Sequence, residues 1–145
     1  MTSSTTTLRT GRSLVPDGEF EQLVAFLTVD TGMTTEHAER VLDQGLAFLG
    51  AVAEHDGAPL VPSDAVDPGW HAMILHTAWY AGFCERIAGR MIHHNPTPGQ
   101  GGRAADAIAR TVEAIRKAGF RVDSKLWSHE PGGMLQCDSD DGRDY

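Results

Sequence analysis

Apolar residues recur at helical spacing in separate segments of the chain, with polar or Gly- and Pro-rich stretches between them. The first segment predicts a helix that Asp17 caps and Gly32 ends. A second helix is predicted from Thr34 or Thr35, either of which can cap it, to about His55. The apolar residues of this second segment lie on one face of the helix and charged residues on the other, as expected of a half-buried helix.

The third predicted helix, at about 68–88, is apolar on nearly all sides. Asp67 is its predicted N-cap, Pro68 takes the first helical position, and Gly89 follows its end. A helix of this composition is typically surrounded by its neighbours, so we expect it at the centre of the fold. A fourth helix is predicted over about 104–117.

No segment alternates strongly enough to predict a strand in a sheet. The sequence therefore predicts an all-α, single-domain bundle of about four helices around the central helix 68–88. Residues 1–14 contain little to bury and are predicted to form a flexible, disordered head. The helical domain is expected over 15–127, followed by an acidic tail at 128–145.

Composition limits the classes of partner. The 145 residues include 20 acidic and 12 basic side chains, giving a net charge of -8. This balance argues against binding to nucleic acids or anionic membranes and leaves a small molecule or peptide as the expected partner. Cys84 and Cys137 form no disulfide pattern, and no apolar run approaches the roughly 20 residues of a membrane span. These features predict a cytoplasmic protein.

Side chains that can bind metals are concentrated between residues 67 and 96. This segment holds four of the seven histidines, one of the two cysteines and two of the three tryptophans. A buried polar group without a partner costs roughly 1–3 kcal/mol, so several buried imidazoles need either a metal ion or one another. The four histidines are His71, His76, His93 and His94.

Spacing limits how these histidines can act together. His71 and His76 are five residues apart and diverge by roughly 140° on one helix, so they cannot bind the same ion by themselves. Four-residue steps connect His76 to Tyr80 and Tyr80 to Cys84 on one face. A site therefore requires a ligand from the loop that follows the helix, where the other two histidines lie.

We accordingly predict a histidine-rich metal site in a small protein, and possible metalloenzyme chemistry on a peptide or specialised metabolite. Iron, zinc and copper all suit imidazole combined with a harder or softer ligand. The predicted metal ligands are His71, His76, His93, His94 and Cys84, and the residues predicted to contact a cofactor are Trp70 and Tyr80.

Two alternatives remain open at this stage. In the first, the chain is a non-catalytic protein-interaction module whose histidines form a structural cluster, hydrogen-bonded for example to backbone carbonyls. Cys84 is then a small buried apolar residue. In the second, His71 or His76 is the axial ligand of a heme.

The run 62–96 resembles the core motif of the glycine-rich domain-containing-protein-like group. The Trp70-His71 pair and the His93-His94 pair carry this resemblance. Members of that group are small uncharacterised proteins common in actinobacteria and related to a repeat in longer plant proteins. The resemblance implies membership in the group and an actinobacterial origin, but it implies no activity.

Overall fold

A computed structural model describes residues 7–94 and 105–128 of the chain. Within these ranges the regular structure is helical, apart from one isolated β-bridge. None of the helices described there is both long enough and apolar enough to cross a membrane. In chain order the elements are a 3-10 helix at Gly11–Leu14, α1 at Asp17–Thr31, α2 at Thr35–Glu54, α3 at Asp67–Leu75, α4 at Thr77–Ala88, α5 at Ala105–Lys117 and α6 at Ser124–Trp127.

The other helices pack around α2. This helix contacts the 3-10 helix, α1, α3, α4 and α5, and Leu42, Leu46 and Phe48 on it are completely buried. Burial of one such side chain contributes roughly 1.5–3 kcal/mol. The predicted all-α class and an arrangement around a central helix are confirmed, but the helix at the centre is α2 and not the predicted segment 68–88.

Several helix ends follow the predicted local signals. The Thr34 hydroxyl accepts a hydrogen bond from the His37 N–H at 3.1 Å and so caps α2. Gly32 (φ 82°) ends α1 in the left-handed conformation and donates its N–H to the Thr28 carbonyl at 2.8 Å. Gly89 (φ 71°) ends α4 in the same conformation. Glycine adopts this conformation without steric cost.

Two predicted N-caps are wrong. The residue before α1 is Pro16, whose carbonyl accepts the Phe20 N–H at 3.0 Å, and Asp17 lies within the first turn. Proline serves at this position because its fixed φ is compatible with the start of a helix. The residue before α3 is Val66, and Asp67 is again the first helical residue.

The predicted single helix at 68–88 is in fact two helices, α3 and α4. They meet at His76, whose φ of -92° and ψ of 71° lie outside the helical region. No glycine or proline marks this position in the sequence. The interruption therefore depends on contacts made by the residues around it.

Part of the predicted disordered head is folded. Gly11–Leu14 forms the 3-10 helix against α2, and the Arg12 N–H donates to the Asp43 carboxylate at 2.8 Å. Gly11 is buried so closely that a Cβ there would lie 1.9 Å from the Asp43 carbonyl oxygen. Residues 1–6 lie outside the described residues.

The chain after α5 returns to the N-terminal segment. Arg9 donates its N–H to the Gly119 carbonyl at 2.8 Å and accepts the Arg121 N–H at 2.9 Å. The short helix α6 then places two buried apolar residues against the core. Of the predicted acidic tail, 129–145 lies outside the described residues.

Candidate functional site

The side chain of His76 stabilises the break between α3 and α4. In a continuous helix the Ala72 carbonyl would accept the His76 N–H. Here that N–H donates to the Met73 carbonyl at 3.1 Å, and His76 Nδ1 lies 2.8 Å from the Ala72 oxygen. Because a carbonyl oxygen can only accept, Nδ1 carries the proton. The ring of Phe26 packs edge-on against the imidazole, with 4.9 Å between ring centroids.

The break brings Trp70 and Tyr80 together in the core. Ten residues of continuous helix would separate their Cα atoms by about 15 Å along the axis. Instead, Trp70 Nε1 donates to the Tyr80 hydroxyl at 2.9 Å, and that hydroxyl donates to the Ile92 carbonyl at 2.5 Å. Burial raises the pKa of the Tyr80 phenol, and the nearby Cys84 adds to the rise. The hydroxyl therefore keeps the proton that it donates.

His94 extends this group of contacts. Its ring lies 4.4 Å from the Trp70 ring, centroid to centroid, and its Nε2 is 3.2 Å from Asp67 Oδ1. The Asp67 and His94 side chains are only 16% and 20% exposed. We call Asp67, Trp70, Tyr80, Ile92 and His94 the bracket, because their contacts hold the chain after α4 against α3.

The other predicted metal ligands differ in their surroundings. His93 is exposed, His71 is half-buried on α3, and Cys84 is a free, completely buried thiol. The ring of His76 contacts the Ala72 carbonyl. In the described part of the chain, no three His, Cys, Asp or Glu side chains are placed to hold one metal ion.

Gln44 is an important buried polar residue that the sequence analysis did not identify. It is 1% exposed, and its Oε1 accepts the Asp123 N–H at 3.0 Å and the Trp127 Nε1–H at 2.8 Å. Its Nε2 donates to the Arg121 carbonyl at 3.2 Å and to the Asp43 carboxylate at 3.0 Å. One side chain thereby ties the segment 121–127 to α2.

Aromatic packing connects Gln44 to the bracket. The Phe48 ring lies 6.5 Å from that of Trp127, which Gln44 holds, and 5.0 Å from that of Trp70. The signal available in the sequence was a glutamine on the otherwise apolar face of the second predicted helix. A polar residue in such a position needs buried partners.

These features define a small all-α protein. The bracket fixes the chain segment that follows α4, and the hydrogen bonds of Gln44 fix the segment that follows α5. The chain belongs to the UCP032817-like family, an uncharacterised family whose model matches residues 21–117. That range begins within α1 and ends with α5, so it includes the whole bracket. No curated protein and no solved structure matches the chain.

The resemblance to the glycine-rich domain-containing-protein-like group is wrong as an assignment of family. The family that matches is UCP032817-like, and no glycine-rich domain-containing family is shown. The described part of the run, 62–94, contains the five residues of the bracket. A short set of aromatic and imidazole positions is too little to distinguish one helical family from another. The actinobacterial origin implied by the resemblance is likewise not shown.

Proposed function

We propose that the chain is a non-catalytic helical interaction module and that its histidine-rich segment serves a structural role. The observation that supports the structural role is the double hydrogen bond of the Tyr80 hydroxyl, which accepts from Trp70 and donates to Ile92. The contact of His94 with Asp67 supports it further. Side chains engaged in this way hold one backbone segment against another.

The expected partner is a protein, a peptide or a small molecule. The net charge of -8 disfavours nucleic acids and anionic membranes, because both repel an acidic surface. We propose a cytoplasmic location, since the free thiol of Cys84 suits a reducing compartment.

Adjacent histidines provide a matched test of the structural role. His94→Ala removes the contacts with Trp70 and Asp67 and should lower the free energy of unfolding by about 1–2 kcal/mol. His93→Ala, which alters an exposed neighbour, should change it by less than about 0.5 kcal/mol. Urea unfolding with and without EDTA measures both effects, and EDTA should alter neither protein. Equal losses in the two variants would argue against the bracket.

Metal binding is a second candidate, favoured by one observation. The segment after α4 brings His94 Nε2 to 3.2 Å from Asp67 Oδ1, which offers two ligands to an ion. No third His, Cys, Asp or Glu among residues 7–94 and 105–128 joins this pair, so further ligands would have to be water or residues outside those ranges. Elemental analysis of untagged protein would then give one equivalent of iron, zinc or copper, and EDTA would lower the melting temperature of the wild type but not of His94→Ala. Heme binding would appear as a Soret band.

A further inference from the structure

The surface groove beside Gln44 differs in charge from the chain as a whole. It has a volume of about 640 Å³ and is lined by the 3-10 helix, α1, α2 and the segment 121–125. Small-molecule sites typically have volumes of roughly 300–1,000 Å³. Four basic and three acidic side chains line the groove of a protein with net charge -8, and these are Arg12, Arg40, Arg121, Lys125, Glu39, Asp43 and Asp123.

Two of the three carboxylates already have partners. Asp123 accepts hydrogen bonds on both oxygens from the Arg40 guanidinium, at 2.8 and 3.0 Å, and this contact holds the pKa of Asp123 below its usual value. Asp43 accepts the Arg12 N–H on one oxygen and the Gln44 amide on the other. Of these two carboxylates, only Asp123 is paired with a cation, because the donors to Asp43 are neutral.

Three cations in the groove are available to a ligand. The Arg12 guanidinium lies over the Phe20 ring, 4.4 Å from its centroid, and its ion pair with Asp17 is long at 3.8 Å. Arg121 and Lys125 are exposed and form no ion pair with any residue in 7–94 or 105–128. With four cations against three carboxylates, the lining of the groove carries a net charge of +1.

The backbone that carries two of these cations is fixed before any ligand binds. Gln44 bonds to the Arg121 carbonyl and the Asp123 N–H, and the Arg121 N–H donates to the Arg9 carbonyl. A site ordered in advance loses less conformational entropy on binding.

We propose that this groove binds a small anionic molecule through a carboxylate or phosphate group held by Arg12, Arg121 and Lys125. Guanidinium groups bind both anions through two parallel hydrogen bonds, and the lysine ammonium adds a point charge. The proposal is independent of the bracket and of any metal there. The three cations lie outside the family match at 21–117, whereas the α2 residues of the groove lie within it.

Titration of the full chain with citrate and, separately, pyrophosphate at constant ionic strength tests the proposal. The ¹H–¹⁵N spectra should show saturable shifts of the Gln44 side-chain amide and of the backbone amides at 121–125. Saturation by citrate alone identifies a carboxylate ligand, and saturation by pyrophosphate alone identifies a phosphate ligand. The proposal is overturned if the chemical shifts change linearly with probe concentration at amides all over the surface. It is also overturned if neither probe changes them.

Double variants that each remove two positive charges show where on the protein the anion binds. The double variant Arg121→Ala/Lys125→Ala should raise Kd tenfold or more, because two of the three binding cations are lost. The control Arg116→Ala/Lys117→Ala removes the same charge from exposed positions on α5 and should change Kd by less than twofold. Equal weakening in both would mean that only net charge matters, and the site would be refuted. Circular dichroism establishes that each variant is folded.

Discussion

Trp70 donates its indole N–H to the hydroxyl of Tyr80, which lies ten residues further along the chain, at 2.9 Å. This contact requires the chain to leave the helical path between them, and it does so at His76. Because Tyr80 in turn donates to the Ile92 carbonyl, one hydroxyl links α3, α4 and the segment after α4. The break, the hydrogen bonds and the position of His94 therefore form one structural unit.

Tyr80→Phe should lower the free energy of unfolding by about 1–3 kcal/mol. The substitution keeps the ring but leaves the buried Trp70 N–H and Ile92 carbonyl without their partner. Thr28→Val is the control, since it removes a hydroxyl whose bond to the Ala25 carbonyl is exposed. Urea unfolding should show a loss below about 0.5 kcal/mol for the control, and a similarly small loss for Tyr80→Phe would contradict the prediction.

The same hydroxyl predicts a dependence on alkaline pH. Burial raises the pKa of Tyr80 in the folded state above its ordinary value of 10.0, so unfolding releases a proton once the pH exceeds that value. The stabilisation is thus fully present below pH 10 and is lost as the pH rises further, by up to about 1.4 kcal/mol per pH unit. The free energies of unfolding of the wild type and Tyr80→Phe, measured in urea between pH 8 and 11.5, should differ by a constant amount up to pH 10. Above pH 10 this difference should become smaller. A difference that stays constant to pH 11.5 would exclude a raised pKa.

Local signals in the sequence were sufficient for much of the fold. Thr34 and Gly32 lie at helix ends because their preferences are set by the nearest few residues. The apolar spacing of α1, α2 and α5 likewise records which side of each helix is buried. These features depend on short-range chemistry, so a single sequence contains them.

The bracket depends on longer-range contacts. The sequence marked the histidine-rich segment as a special region. It predicted Asp67 as a helix cap, however, and did not predict that the Asp67 carboxylate contacts His94. Nothing local predicts that the ring of His76 replaces a backbone donor, because the residues around it favour a helix. The role of Gln44 could not be predicted in detail for the same reason, since its partners lie about 80 residues away along the chain.

Gln44→Leu should destabilise the protein by about 2–4 kcal/mol. Leucine fills a similar volume, but the Asp123 N–H and the Trp127 indole N–H lose their common acceptor. Gln22→Leu, at an exposed position on α1, is the matched control and should change stability by less than about 0.5 kcal/mol. Urea unfolding followed by far-ultraviolet circular dichroism measures both. If the two variants are equally stable, Gln44 does not anchor the segment after α5.

Gly11→Ala tests whether the segment before α1 is folded against α2. The added Cβ would lie 1.9 Å from the Asp43 carbonyl oxygen and 2.6 Å from the Ala47 nitrogen, both of them backbone atoms in the middle of α2. Neither atom can move without distorting the helix, so we expect the 3-10 helix to shift and stability to fall by about 1–3 kcal/mol.

Gly82→Ala is the opposing control for this change. Gly82 lies within α4, where a Cβ would meet nothing within 4 Å, so alanine should stabilise the helix by about 0.5–1 kcal/mol. Thermal and urea unfolding should therefore show that Gly11→Ala is less stable than the wild type and that Gly82→Ala is more stable. If Gly11→Ala were as stable as the wild type, residues 7–14 would be detached from α2 in solution. The groove beside Gln44 would then lose Arg12 as a fixed cation.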